Sequence, residues 1–272
     1  MAQQTRLRGR PKAFDDKTDQ NTVQALDRAL ILQEILAASS GLTLSELTER
    51  SDQAVATVYR ALVTLQAHGM VEMEEPGQVW HIGSGAFRIG TAFLRRTKIA
   101  ERARSAMDQL MRDTGETANL GMEVGGEVLF LAQVETYEAI RAFFPPGTKG
   151  PMHVSGIGKA LLAWYPGEKV AGILKRNGFQ RFTSLSLSSP ESLERDLART
   201  RARGYAIDDQ ERAEGMRCVA APIFNAYGEP VAGLSVSGPA FRIALSDTAR
   251  IGALVRTAAD RVTEATGGVR PE

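Results

Sequence analysis

The side chains best suited to chemistry gather late in this chain. The stretch 215–239, GMRCVAAPIFNAYGEPVAGLSVSGP, holds the only cysteine, Cys218, and two serines spaced two apart, Ser235 and Ser237. On a strand that spacing puts both hydroxyls on one face with Val231 and Gly233, while Ala232, Leu234 and Val236 point the other way toward a core. Small hydroxyl-bearing residues beside a glycine form a wall that a bulky group can approach closely. With Cys218 on the neighbouring strand, this is the composition of a small-molecule pocket; the same residues would equally let a helix pack tightly. A second candidate is Gly156-Ile157-Gly158, a glycine-rich turn running into a helix. Backbone N–H groups at a helix start favour an anion, and glycines would admit a carboxylate without meeting a Cβ. They would also serve as plain punctuation between loop and helix. The Gly-x4-Gly-Lys-Ser/Thr spacing of a phosphate-binding loop is absent. An enzyme would need Cys218 as nucleophile and His153 as base. Free cysteine is usually a core residue, His153 precedes an apolar helix, and no acid–base–orienter set is legible, so no catalytic residue is assigned.

Positioning these groups requires strands. The central stretch reads as strands over 217–224 and 231–237, joined by a turn at Asn225-Ala226-Tyr227-Gly228-Glu229-Pro230. Upstream, alternation predicts three antiparallel strands, from Ala118 to Glu123, from Glu127 to Val134 and from Glu138 to Phe143. Within 152–164 the glycine-rich turn runs into a helix, and further helices are expected over 168–177, 190–203 and 246–266. Two more, over 84–96 and 99–115, precede the strands, the second carrying Ala103, Ala106, Met107 and Leu110 on its buried stripe.

The first third of the chain has a different order. Residues 23–37 form an apolar-periodic helix with Val23, Leu26 and Leu30 as the expected core face. Thr43-Leu44-Ser45-Glu46 fits a capping box opening a short helix, and a third helix over 54–68 buries Val58, Leu62 and Leu65. Val71-Glu72-Met73 and Val79-Trp80-His81-Ile82 flank a turn as a small hairpin. Three helices then a hairpin is the order of a winged helix-turn-helix, whose third helix would offer Thr57, Tyr59, Arg60 and Thr64 to a DNA major groove.

Charge is segregated within a net +1. Residues 1–12 carry four cations and no acid, residues 22–83 sum to −5, and residues 84–104 sum to +5. The opening segment lacks hydrophobic period and is expected to be a disordered basic arm. Its Arg8-Gly9-Arg10-Pro11 is shaped like the core of an AT-hook, with Arg8 and Arg10 suited to a narrow A·T-rich minor groove. The acidic balance of the following domain keeps a second reading open, a sensor acting through protein partners. One cysteine fits a reducing compartment, and neither a secretory leader nor a bilayer-spanning run is visible, so a cytoplasmic protein is expected. No metal or cofactor is expected.

Four blocks carry a family resemblance: the run from His153 to Ala160, Arg203-Gly204-Tyr205-Ala206-Ile207-Asp208, the run from Gly215 to Ile223, and Ser235-Val236-Ser237-Gly238-Pro239. In this order they resemble the IclR family of bacterial transcription regulators along nearly the whole chain. The resemblance implies an α+β chain: a basic arm (1–20), a winged helix-turn-helix (21–83), a linker helix (84–98) and a GAF-like effector domain with a curved antiparallel sheet (99–272). It further implies homodimers paired through the DNA-binding domains, assembled as dimers of dimers on a DNA operator. Family effectors include glyoxylate, pyruvate and aromatic acids. In the glyoxylate-responsive branch the pocket positions fall here on Gly156, Ile157, Gly158, Asp208, Cys218, Ser235 and Ser237. Asp208 comes from the resemblance alone, and an ordinary turn aspartate fits it as well. The turn before the third helix departs from the family's Gly-Leu-Pro-x-Ser-Thr-Val-x-Arg, keeping only Thr57, Val58 and Arg60.

Overall fold

The computed structural model describes residues 22–271, so the expectations for Arg8, Arg10 and the basic arm lie outside the described residues. The chain divides into two compact units, the first ending at Phe93 and the second beginning at Leu94.

The first unit runs α1 (Gln24–Ala37), β1 (Leu42–Thr43), α2 (Leu44–Ser51), α3 (Val55–Ala67), β2 (Val71–Glu74), β3 (Val79–Ile82) and into α4 (Ser84–Thr97). The capping box forms: the Glu46 N–H donates to Thr43 Oγ1 at 3.3 Å and the Thr43 N–H to Glu46 Oε2 at 2.8 Å. The hairpin forms too, with β1 joining its outer side in the order β1-β3-β2. Glu72 accepts from the Ser84 N–H at 2.9 Å, so the wing and the start of α4 share one carboxylate. The core gathers Leu32, Leu36, Leu42, Leu47, Val58, Leu62, Val71 and Trp80. One expectation is reversed. Val23, Leu26 and Leu30 are 66%, 58% and 48% exposed, and the core face of α1 is Leu32 and Leu36. α1 carries two apolar stripes, and a period of 3.6 fixes which residues share a face, not which face meets the core.

The second unit runs α5 (Ile99–Thr114), β4 (Thr117–Val124), β5 (Glu127–Val134), β6 (Lys149–Pro151), a 3-10 turn (Met152–Val154), α6 (Gly156–Leu162), α7 (Gly167–Asn177), α8 (Pro190–Arg203), β7 (Ala206–Asp209), β8 (Met216–Phe224), β9 (Pro230–Pro239) and α9 (Thr248–Ala265). The strands form one antiparallel sheet, ordered β6-β5-β4-β9-β8-β7 and curled. α5 and α9 pack on one face, α6 on the other. Both faces of β8 and β9 are therefore covered, which explains why these strands are built almost wholly of apolar and small residues. The expected strand from Glu138 to Phe143 does not form. Pro145 and Pro146 turn the chain back, and Lys149–Pro151 takes the edge beside β5, while Tyr137, Ile140 and Phe143 stand exposed. The turn between β8 and β9 forms with Gly228 at φ 74°. Asn225 Oδ1 accepts the N–H groups of Tyr227 and Glu229 across it.

Two glycines test this packing. A Cβ on Gly158 would collide with the backbone of Met152, whereas one on Gly172, inside α7, would meet open space. Gly172→Ala should raise stability by about 0.5–1 kcal/mol. Gly158→Ala should lower it by about 1–3 kcal/mol through forced backbone shifts. Urea unfolding of the two variants beside the parent checks both signs.

Candidate functional site

Between α6 and the sheet lies a cavity of about 70 Å³. Gly156, Ile157, Asp208, Cys218, Ser235 and Ser237 line it together, so six of the seven residues expected at a pocket, spread over 82 positions of sequence, meet in space. Gly158 does not line it; its hydrogen side is filled by the Met152 backbone, so this glycine serves chain packing. Gly233 is likewise covered by a side chain of the fold, since a Cβ there would sit 3.0 Å from Ile157 Cγ2. The tight-packing reading thus holds for Gly158 and Gly233, and the cavity lies toward the serine end of β9. Gly156 is needed for a different reason: a Cβ would stand 2.7 Å from Cys218 Sγ. Phe130 and Phe144, stacked with centroids 4.8 Å apart, supply an apolar wall.

The hydroxyls are oriented from below. Fully buried Asn119, on β4, donates through Nδ2 to Ser237 Oγ at 3.3 Å and to Ser235 Oγ at 3.5 Å, and its own Oδ1 accepts from Gln133 Nε2 at 2.9 Å. With their oxygens accepting from Asn119, the serines keep O–H protons, which lie within reach of the Cys218 sulfur as well as of the cavity. Asn119 gave no signal in the sequence beyond a polar residue inside an apolar strand. Cys218 lies opposite Ser237 in the β8–β9 register and is half-buried. Burial, then the nearby Asp208 carboxylate, push its thiol up to about 11, so little thiolate forms at neutral pH. His153 points elsewhere, its Nε2 3.0 Å from the Gln180 carbonyl and its ring edge-on to Phe179; desolvation lowers its pKa. The residues of the enzymatic reading do not form a nucleophile–base pair.

A buried charge cluster supports the cavity. Lys159 on α6 is fully buried, its Nζ 2.5 Å from Glu211 Oε1, 2.5 Å from the Ile207 carbonyl and 3.0 Å from Asp196 Oδ2. Desolvation pulls the Lys159 pKa down, but Glu211, Asp196 and Asp208 outweigh it and hold the ammonium above its usual value. Three carboxylates surround one cation, and burial pushes Glu211 up to about 7 and Asp208 up to about 6, each against the pull of Lys159. Asp208 does act as a turn aspartate: Oδ1 accepts the Glu211 N–H at 2.8 Å, and the carboxylate also accepts from the Arg212 backbone. Arg212, which sequence reasoning passed over, lines the cavity at the end of that turn with its guanidinium carbon 4.0 Å from the Phe182 ring centre.

In the first unit, Thr57, Arg60 and Thr64 edge one groove beside Leu26 of α1 and Val23 just before it. Tyr59 is 53% exposed and lies about 100° around α3 from Arg60. The four residues therefore present two adjoining faces of α3 rather than one. Among the described residues no helix is long and apolar enough to cross a membrane, and no cluster of His, Cys, Asp and Glu could hold a metal ion.

The charge cluster gives stability a pH signature. Glu211 binds its proton more tightly folded than unfolded, so its contribution is complete below the ordinary value of 4.5 and lost as pH rises through about 7. Glu211→Gln should remove that component. The stability difference, parent minus variant, should grow as pH falls from 8 to 5, at no more than ~1.4 kcal/mol per pH unit. Urea unfolding at several pH values measures it, and parallel curves would exclude the effect. Lys159→Met, which strands the carboxylates, should cost about 3–5 kcal/mol at pH 8.

Residues 25–75 match the IclR helix-turn-helix domain, and residues 91–264 match the C-terminal region of the bacterial transcriptional regulator IclR. The chain is 49% identical over 274 residues to the HTH-type transcriptional regulator BhcR of Paracoccus denitrificans (strain Pd 1222), covering 100% of this chain and 97% of that protein. It is 39% identical to the transcriptional repressor IclR of Escherichia coli (strain K12), covering 97% of each. The crystal structure of Thermotoga maritima IclR superposes with a TM-score of 0.76 at 28% identity, covering 90% of this chain and 99% of that one. These relatives are regulators of transcription, not enzymes. With both regions matched in order, the chain belongs to the IclR family of transcriptional regulators, joining a helix-turn-helix DNA-binding domain to a C-terminal effector domain.

Proposed function

We propose that this regulator acts in the cytoplasm and that a small carboxylate, glyoxylate or a related 2-oxo acid, controls its binding to an operator. The carrying observation is the convergence of Gly156, Ile157, Asp208, Cys218, Ser235 and Ser237 on one cavity of about 70 Å³. A water molecule needs roughly 10–15 Å³ of such space, so the cavity suits a few heavy atoms and disfavours an aromatic acid. Ser235 and Ser237 would donate to the ligand's oxygens, and Cys218 would lie against its oxo carbon. The GAF-like effector domain over 99–272 would report through the linker helix, 84–98, to the winged domain, 21–83. On DNA, Thr57, Tyr59, Arg60 and Thr64 would meet the major groove, and Arg8 and Arg10 the minor groove. Pairing of two copies through the DNA-binding domains is supported by the exposed stripe of Val23, Leu26 and Leu30, which leaves three large apolar side chains uncovered on one helix. A dimer of such dimers completes the assembly we infer.

Two experiments test the reading. Calorimetric titration of glyoxylate, pyruvate and an aromatic acid should give binding by the small oxo acids. Ser235→Ala should then weaken glyoxylate about ten- to a hundredfold, as the loss of one hydrogen bond to a charged ligand would. Failure of the parent protein to bind glyoxylate, or an unchanged affinity in both Ser235→Ala and Cys218→Ala, refutes the pocket assignment. In gel shifts with the DNA upstream of its own gene, deleting residues 1–12 should weaken binding uniformly across operator variants. The slope of log K against log salt should fall by about 0.9 for each phosphate that the arm no longer neutralises. Arg60→Ala should instead change operator preference. An arm deletion with unchanged affinity and slope would exclude a role in DNA binding.

A further inference from the structure

We propose that Arg212 is the anion anchor of the cavity, its guanidinium taking the carboxylate of the effector. The inference rests on the reading of the cavity as the effector site and names the group that would recognise the ligand's charge. Arg212 lines the cavity, and its Nη1 is buried without a hydrogen-bond partner among the described residues. Arginine keeps its proton at any working pH, so a buried guanidinium N–H is satisfied only by an acceptor, not by giving up its charge.

Of the acids near it, Asp208 accepts the Glu211 N–H at 2.8 Å and the Arg212 backbone N–H, and Glu211 pairs with Lys159 through Oε1 at 2.5 Å, while Glu211 Oε2 is buried without a partner among the described residues. The contrast with Arg217 is direct. That side chain, just beyond the same turn, is fully used by Asp209 at 2.6 Å and by the carbonyls of Ala240 and Ile243. Arg212 is also held in place: its guanidinium lies over the Phe182 ring at 4.0 Å. A planar donor fork held over an aromatic ring, on a residue that lines the cavity and keeps a buried, unpartnered nitrogen, matches a carboxylate. Ser235 and Ser237 line the same cavity and would take the oxygen at the other end of a short ligand. The arrangement therefore selects one carboxylate and one further acceptor oxygen, the chemistry of a 2-oxo or 2-hydroxy acid. In the Gly156-Ile157-Gly158 turn the Gly158 N–H already donates to Ser155 Oγ at 3.3 Å, so Arg212 would act beside Gly156 and Ile157, the two residues of the turn that line the cavity.

The test compares an acid with its neutral isostere. Glyoxylate and pyruvate, each beside its primary amide, are titrated by calorimetry into the full-length protein, Arg212→Gln and Arg212→Lys. The parent should prefer acid over amide by about ten- to a hundredfold. Arg212→Gln should lose that preference while amide binding changes little, and Arg212→Lys, which keeps charge but not the fork, should retain part of it. Thermal melts report whether each variant is folded. If Arg212→Gln is not, the parent's acid–amide ratio and the Arg212→Lys result decide. Equal binding of acid and amide by the parent, or an undiminished preference in folded Arg212→Gln, overturns the anchor and leaves a ligand cavity standing. If the parent binds neither acid nor amide, the effector reading itself falls and the anchor with it.

Discussion

One buried ammonium organises the effector unit. Lys159 leaves a short helix of seven residues and is fully buried, meeting Glu211 from the β7–β8 turn and Asp196 from α8. Three segments far apart in sequence are pinned at one point, and each needs the others because a stranded buried charge is costly. The geometry of the cavity follows. α6 is held against the sheet so that Gly156 clears Cys218, and the turn from Asp208 to Arg212 is held open by Lys159 on one side and by its own backbone bonds to Asp208 on the other. A hydrophobic replacement of the whole cluster could be more stable. It would not fix the direction in which Arg212 points.

The sheet imposes the second constraint. Strands β8 and β9 are covered by α6 on one face and by α5 and α9 on the other, so they have no solvent face on which to place polar residues. Polar groups inside such a sheet must be paired or serve a ligand. Asn119, Gln133, Ser235 and Ser237 are paired among themselves, yet the serine hydroxyls still have protons to donate. A polar surface built this way is rigid, because its groups are oriented by the strand register rather than by mobile loops.

What the sequence disclosed follows the range of each interaction. The β8–β9 hairpin, the Thr43 capping box and α8 with its Pro190 start were legible because their determinants lie within a few residues. Ser235 and Ser237 were legible as a pair because period two is a local rule. The partners of Lys159 were not: Asp196 and Glu211 lie 37 and 52 positions away, and nothing in Gly158-Lys159-Ala160 says where an ammonium points. Arg212 was missed for the same reason, being one arginine among many until its turn is folded. The strand expected from Glu138 to Phe143 failed because alternation says that a segment could pair, while the edge beside β5 was taken by Lys149–Pro151. In α1 periodicity picked the stripe of Val23, Leu26 and Leu30, while the core took Leu32 and Leu36.

The size of the cavity also limits how the protein can respond. A ligand shifts a two-state equilibrium only by its difference in affinity for the two states, and moving a population from 1:99 to 99:1 needs about 5.5 kcal/mol. The best small ligands yield roughly 1.5 kcal/mol per heavy atom, so a five-atom oxo acid supplies about 7.5 kcal/mol at most. About three quarters of even that maximum would have to discriminate between states for one site to throw such a switch alone. Interactions that depend on small displacements serve this best, and the charged fork proposed for Arg212, meeting a carboxylate, would be the strongest of that kind available here. The sheet that carries the serines packs its opposite face on α5, and α5 continues directly from α4 through Lys98, whose backbone turns at φ 50°. The covalent path from the sheet's helix to α4 is therefore one residue long. Were several sites to act on one operator complex, as in the assembly proposed above, each ligand would need to contribute only a fraction of the total shift.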